Sequence, residues 1–270
     1  MRIGEVSKLL DIPVQTIRFY EKQGIIAPER TGDGAYREYE PWDLFYLIEC
    51  MTYRNIGLTV NETKKVLHQE PLSYLSDCIK RRLEQLKEQR AIELLMEKHL
   101  IEYDRKIEVL HYNIGKFWIT KQPEMAILPN IERHGSRYMY VEKYNGVFAK
   151  WIKNMPFVQS MQIIDLSDLR DENAPDRDTW AAAVEKDLMP VLNLHMEEGM
   201  LIMPEEVCIT TICDAGERGQ LSIEKYRNVI KQVEMQGYKP SGNIRSHLLA
   251  RCWEDGTYHR YFEVFVPIEK

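Results

Sequence analysis

Ile3-Gly4-Glu5-Val6-Ser7-Lys8-Leu9-Leu10-Asp11-Ile12-Pro13-Val14-Gln15-Thr16-Ile17-Arg18-Phe19-Tyr20 packs two short amphipathic segments around one break. Ile3, Val6, Leu9 and Leu10 recur at helical spacing, and Asp11-Ile12-Pro13 interrupts them. Pro13 suits the first turn of a second helix, where its missing N–H costs nothing. In that helix Val14 and Ile17 turn inward, which leaves Gln15, Thr16, Arg18 and Tyr20 to face out. Two short helices joined by a tight turn form a helix-turn-helix, whose second helix fits the DNA major groove.

Moving outward, Arg30-Thr31-Gly32-Asp33-Gly34-Ala35-Tyr36-Arg37-Glu38-Tyr39 reads as a β-hairpin turning at Asp33-Gly34, since Asp-Gly supplies positive φ angles. Beside a helix-turn-helix such a hairpin is a wing, on which Tyr36 offers a stacking ring and Arg37 a phosphate-binding fork with no structural task of its own. Pro41 opens a third helix with Leu44, Leu47, Ile48 and Met51 on one face, closed by Gly57. Thr59 and Glu62 form a capping box for a fourth helix running through Leu67. Phe19, Trp42 and Phe45 are expected in the core of this head, and Lys64 and Lys65 on a solvated face.

The string Ile3-Gly4-Glu5-Val6, Val14-Gln15-Thr16-Ile17-Arg18-Phe19-Tyr20-Glu21, Gly24-Ile25-Ile26, Tyr36-Arg37-Glu38-Tyr39 and Asn55-Ile56-Gly57-Leu58 resembles, over residues 2–69, the winged helix-turn-helix of the MerR family. The resemblance implies that Arg18, Tyr20, Tyr36, Arg37 and Arg54 contact DNA, mostly at phosphates, with Gln15 and Thr16 on the recognition helix. Gln15 stands where that family more often has Arg or Lys.

Residues 72–117 contain no Pro, and no Gly before Gly115. Leu72, Leu75 and Ile79 run at helical spacing, as do Leu83 and Leu86; Leu100, Tyr103, Ile107, Leu110 and Ile114 then give a 3-4-3-4 series. One long helix with an apolar seam needs a partner: a second copy in an antiparallel coiled coil, as the resemblance implies, or its own C-terminal domain. Metal- and redox-sensing relatives place cysteines just past this helix, whereas His111-Tyr112-Asn113-Ile114-Gly115-Lys116-Phe117-Trp118 has none. Cys78 alone makes no metal site and is expected as an inert interface residue, so neither metal nor cofactor is expected.

From Pro123 the pattern turns to strands. One strand-helix-strand-strand unit runs from Val207 to Ile212, Leu221 to Met235, Asn243 to Trp253 and Tyr258 to Ile268, with Glu254-Asp255-Gly256 as its turn. A fainter copy comprises Ser136 to Tyr144, Val147 to Ile152 and Ser160 to Leu166. Two copies predict a pseudo-symmetric α/β domain with a ligand cleft between its halves.

The ending Tyr261-Phe262-Glu263-Val264-Phe265-Val266-Pro267-Ile268 resembles the last strand of the GyrI-like effector domain used by multidrug-sensing MerR regulators, with its inward Glu. A carboxylate in an apolar strand attracts lipophilic cations or else pairs with Arg245 or Arg251 and is structural. Tyr138, Tyr140, Trp151, Trp180, Tyr226, Trp253 and Tyr261 are candidates to line the cleft, and packing between sheet and helix explains each as well.

The 270 residues carry 36 basic and 42 acidic side chains, a net charge of −6. Residues 1–75 and 76–121 hold −2 and +2, so the excess lies in the C-terminal half. No segment is a polycation, and DNA contact must come from placed residues. Five scattered cysteines fit reduced thiols. Glu5 and Asp11 stand where a signal peptide needs apolar residues, and no stretch suits a membrane helix, which predicts a cytoplasmic protein without a membrane partner.

The expected fold is therefore multidomain α and α+β. It comprises a winged helix-turn-helix over 1–71, a coiled-coil dimerisation helix and linker over 72–122, and a GyrI-like effector domain over 123–270. The expected function is that of a homodimeric, ligand-responsive transcription activator rather than an enzyme. By the resemblance it binds a palindromic promoter with a long spacer, works on RNA polymerase there, and distorts the DNA when a small lipophilic cation binds. The alternative is a small-molecule hydrolase fused to a DNA-binding head, with Glu263 and Tyr258 or Tyr261 as acid and base.

Overall fold

The computed structural model describes residues 1–31, 36–171, 173, 176–217 and 221–269. The chain divides into two compact units, Met1–Ala91 and Ile92–Lys270. The helix expected to join them belongs to both.

The first unit opens with α1 (Ile3–Leu10) and α2 (Val14–Gln23). Gly24, at φ 72°, ends α2 in the left-handed region and returns its N–H to the carbonyls of Glu21 and Tyr20. Strands β1 (Glu29–Thr31) and β2 (Tyr36–Glu38) pair antiparallel with Arg30 opposite Arg37. The expected Asp33-Gly34 turn lies outside the described residues. Pro41 occupies the first turn of α3 (Pro41–Asn55), and Thr59 caps α4 (Val60–His68) by accepting from the Glu62 N–H while Glu62 accepts from the Thr59 N–H. Val6, Ile12, Ile17, Ile25, Leu47 and Cys50 form the core. Of the apolar face expected on α3, Leu47 is buried but Ile48 is 45% exposed.

α5 (Leu72–Glu108) runs for 37 residues, and α6 (Leu110–Asn113) follows at once. The helix thus stops nine residues short of the expected 117, because β3 (Phe117–Gln122) already belongs to the sheet. Cys78 is buried by its own chain and accepts from Arg81, which corrects its placement at an interface.

The second unit is an antiparallel sheet. Its further elements are β4 (Met125–His134), β5 (Arg137–Tyr140), α7 (Asn145–Trp151), β6 (Gln159–Asp165), α8 (Leu166–Arg170), β7 (Arg177–Glu185), β8 (Leu201–Met203), β9 (Glu206–Asp214), α9 (Ile223–Met235), β10 (Asn243–Glu254) and β11 (Thr257–Pro267). The strand order is β3-β9-β11-β10-β6-β7-β4-β5, with β8 beside β4. The inner part, β9-β11-β10 edge to edge with β6-β7-β4, is two copies of one strand-helix-strand-strand unit, and β10 pairs with β6 where the copies meet.

The second copy matches its expected ranges closely, and the first copy keeps the expected helix as α7 and the expected Ser160 to Leu166 strand as β6 but differs at its two other strands. Its outer strand is β4 rather than β5, and its last is β7. Both depart from ordinary strand composition. β4 carries Pro129 at a register shift, and β7 contains Ala181-Ala182-Ala183, which has little intrinsic preference for strand.

Side-chain alternation gives the sheet two different faces. Ala126, Leu128, Ala182 and Val184 pack with Trp151 of α7, while Ile164, Ile209, Ile244, Phe262 and Val264 pack with Tyr226, Val229 and Val233 of α9. The opposite face carries Met125, Ile127, Met161 and Ile163 on one half and Ile212, Leu249 and Tyr261 on the other. The end of α5 meets this second face: Tyr103 donates to the Leu249 carbonyl, and Leu110 of α6 is buried with Ile212 and Tyr261. Of the expected apolar seam Leu110 is therefore taken up within the chain, whereas Tyr103, Ile107 and Ile114 stay more than a third exposed. Further up, Ile79, Leu83, Leu86, Leu94 and Leu100 remain exposed.

Candidate functional site

The head presents part of the expected DNA surface. On α2, Gln15 and Arg18 are exposed and Thr16 is half-buried. Tyr20 is not available. It follows Ile17 at three-residue spacing onto the inner face and is only 9% exposed. Burial, then the neighbouring Cys50 thiol, push its phenol above the usual range. The expectation that Tyr20 faces out is corrected accordingly.

Arg37 likewise has a structural partner. Its Nε lies 2.8 Å from both carboxylate oxygens of Glu21 on α2, and that hydrogen bond and charge raise its already high pKa. The side chain of Tyr36 lies outside the described residues. Arg54 donates to the Leu58 carbonyl, across the turn between α3 and α4. Phe19, Trp42 and Phe45, expected in the core, are 43%, 70% and 54% exposed. The core is filled without them by Ile17, Tyr20, Leu47 and Cys50, and Trp42 and Phe45 meet only edge to face at 5.8 Å.

In the second unit the seven aromatic candidates do not converge. Trp151 is buried beneath one half of the sheet. Tyr226 is buried beneath the other, donating to Gln162 Oε1 at 2.9 Å and sharing a hydrogen bond with Ser246. Burial drives its phenol upward. Trp180 is half-buried at the margin of that same cluster. Tyr138 and Tyr140 stand exposed on edge strand β5, and Trp253 is 69% exposed near the β10–β11 turn, where Asp255 and Gly256 take φ 49° and 77°. Tyr261 alone lies on the same face as Glu263. It is buried there, and burial followed by Cys252, Glu254 and Asp214 pushes its phenol up to about 12.

Glu263 is the chemical centre of that face. It is 4% exposed, sits on β11 opposite His247 of β10, and takes its partners from two elements. Lys106 Nζ of α5 donates to its Oε2 at 2.6 Å, and His247 Nε2 approaches the same oxygen at 3.3 Å. Burial alone would raise the carboxyl; the His247 hydrogen bond and the Lys106 charge outweigh it and hold the group down at about 2. Neither expected partner is used. Arg245 is spent on Glu206 at 2.6 Å, with Met203 and Cys208 around its guanidinium, and Arg251 is exposed opposite Arg260.

Lys106 and His247 are the residues that sequence reasoning passed over. A signal for Lys106 existed: it interrupts the apolar series Tyr103, Ile107, Leu110 on the one helix without a domain of its own. An open groove of about 460 Å³ is lined by Leu100, Ile101, Tyr103, Asp104 and Ile107 of α5. A second histidine pair flanks Tyr261, with His259 Nδ1 at 2.8 Å from Asp214 and stacked on the ring. Among the described residues, no group of three or more His, Cys, Asp or Glu side chains could hold a metal ion, and no helix is long and apolar enough to cross a membrane.

The described elements are thus a helix-turn-helix with two paired strands, and a long helix whose end meets a sheet carrying a buried carboxylate. The sequence profile of the MerR family regulatory protein matches residues 2–39. The transcriptional regulator HmrR of Rhizobium leguminosarum bv. viciae is 42% identical over 67 residues, 25% of this chain and 51% of its own. The transcriptional regulator CueR of Escherichia coli O157:H7 is 31% identical over 98 residues, 35% of this chain and 73% of its own. The chain belongs to the MerR family. It spans about half the length of the HmrR protein. These relatives are named as transcription regulators, not enzymes. Among solved structures, an EcmrR–DNA complex aligns over 100% of both chains at 19% identity, with a TM-score of 0.36.

Proposed function

We propose that the protein is a homodimeric, effector-responsive transcription activator. Its head binds a palindromic promoter with a long spacer through Gln15, Thr16 and Arg18 of α2, with Tyr36, Arg37 and Arg54 toward the phosphates. Its C-terminal unit, of GyrI-like type, takes a small lipophilic cation at Glu263, and the occupied dimer distorts the DNA to suit RNA polymerase. The exposed apolar stripe of Ile79, Leu83 and Leu86 on α5 supports pairing with a second copy as a coiled coil. A regulator acting at a promoter in this way works in the cytoplasm.

The observation that carries this reading is the continuity of α5: the helix that leaves the head brings Lys106 onto Glu263. An event at that carboxylate bears directly on the helix. A hydrolase reading is not favoured. Glu263 is ionised and engaged by Lys106 and His247, and the family is one of transcription regulators.

Selection of bound duplexes from a random-sequence pool tests the first half. Inverted repeats are expected, and recovery of isolated half-sites would argue against a dimer. In vitro transcription from a recovered site, with and without lipophilic cations that shift Trp fluorescence, tests the second. Ligands that bind but leave transcription unchanged would remove the coupling.

A further inference from the structure

We propose that Lys106 is an internal stand-in for the effector: its ammonium fills the Glu263 carboxylate in the free chain, and a lipophilic cation acts by displacing it. This rests on the reading of Glu263 as the effector carboxylate and assigns the regulation of that site.

Three observations converge. First, Glu263 is buried and contacts Lys106 at 2.6 Å, so an incoming cation meets a carboxylate already neutralised. A buried carboxylate stripped of its counter-ion is strongly unfavourable, so exchange of one cation for another is the accessible route. Second, the two partners differ in their freedom. The Glu263 side chain is 5% exposed in a central strand, whereas that of Lys106 is 45% exposed on a helix and can swing its head into water on its flexible stem. His247, fixed in β10 beside Phe265 at 5.5 Å, stays as the wall of the site.

Third, Lys106 lies between two other attachments of the same segment. Tyr103 is bonded to the Leu249 carbonyl, and Leu110 is packed with Ile212 and Tyr261. Release of Lys106 therefore removes the ammonium–carboxylate attachment and leaves Tyr103, Leu110 and the His111–Glu254 contact to hold this segment near the sheet. The effector then favours a detached state over an attached one, and differential affinity of that kind is what shifts a population.

The test titrates tetraphenylphosphonium, with triphenylphosphine oxide as its uncharged counterpart, into the full chain and its variants, followed by Trp fluorescence. Lys106→Met removes the competitor and should bind the phosphonium roughly tenfold tighter, whereas Lys106→Arg keeps a cation there and should stay near the parent. The phosphine oxide should gain nothing from Lys106→Met. Glu263→Gln should weaken the phosphonium alone, and Lys106→Met should add no tightening in that background.

A Lys106→Met chain that binds the phosphonium no tighter, while Glu263→Gln still weakens it, overturns displacement and leaves Glu263 as the effector carboxylate. Equal gains for both probes overturn it as well, because charge would not be what was released. Phosphonium binding indifferent to both positions, or absent from Lys106→Met, overturns the effector reading and displacement with it.

Discussion

Arg37 Nε holds both carboxylate oxygens of Glu21 at 2.8 Å, tying β2 to α2. A guanidinium so engaged offers DNA less of its charge than a free one. Glu21→Gln should therefore tighten binding to a mixed-sequence duplex and steepen its salt dependence, while Arg37→Ala should weaken binding and flatten the slope of log K against log salt by about 0.9. Fluorescence anisotropy across a salt series reads both. An unaltered slope in Arg37→Ala removes Arg37 from the phosphate contacts.

Tyr20 supplies a test of the opposite kind. Because its ring belongs to the core, Tyr20→Phe should leave DNA affinity unchanged, and Tyr20→Ala should cost about 3–5 kcal/mol in urea denaturation. A tenfold loss of DNA affinity in Tyr20→Phe at unchanged stability would return the hydroxyl to the DNA surface.

The Thr59–Glu62 capping box should show as a stability term. Thr59→Ala leaves the Glu62 N–H at the start of α4 without its acceptor and should destabilise the head by about 1 kcal/mol, read from the urea midpoint. No shift would mean that solvent replaces the cap without loss.

Glu263 predicts a pH dependence with a defined sign. Its carboxyl is held at about 2 against an ordinary 4.5, so the folded state binds this proton less readily than the unfolded chain does. The stabilisation, on the order of 3 kcal/mol, is fully present above 4.5 and is lost as the pH falls toward 2. Denaturant titrations across that window should show a steeper loss in the parent than in Glu263→Gln. Parallel slopes would place the acid sensitivity elsewhere.

How much of this was legible in the sequence depends on how local the signal is. The head reads well because caps, breaks and helical spacing are local: Pro13, Pro41, Gly57 and the Thr59–Glu62 box stand where the helices begin and end. The second strand-helix-strand-strand copy reads well for the same reason. β4 and β7 escape because Pro129 stands at a register shift and the three alanines are set by what they pack against, not by strand preference. Partner choice is the least legible. Glu21 finds Arg37 sixteen residues away, and Glu263 finds Lys106 at a separation of 157, which no periodicity encodes. Exposure is subject to the same limit, since Trp42 and Phe45 carry core-type side chains on an uncovered surface.

The 37-residue α5, about 55 Å of helix, contributes to both compact units, so no loop separates them. Its length is therefore also a phase. Inserting or deleting one residue between Ala91 and Tyr103 would turn everything beyond it by about 100° about the helix axis, whereas a seven-residue insertion would nearly restore the original facing.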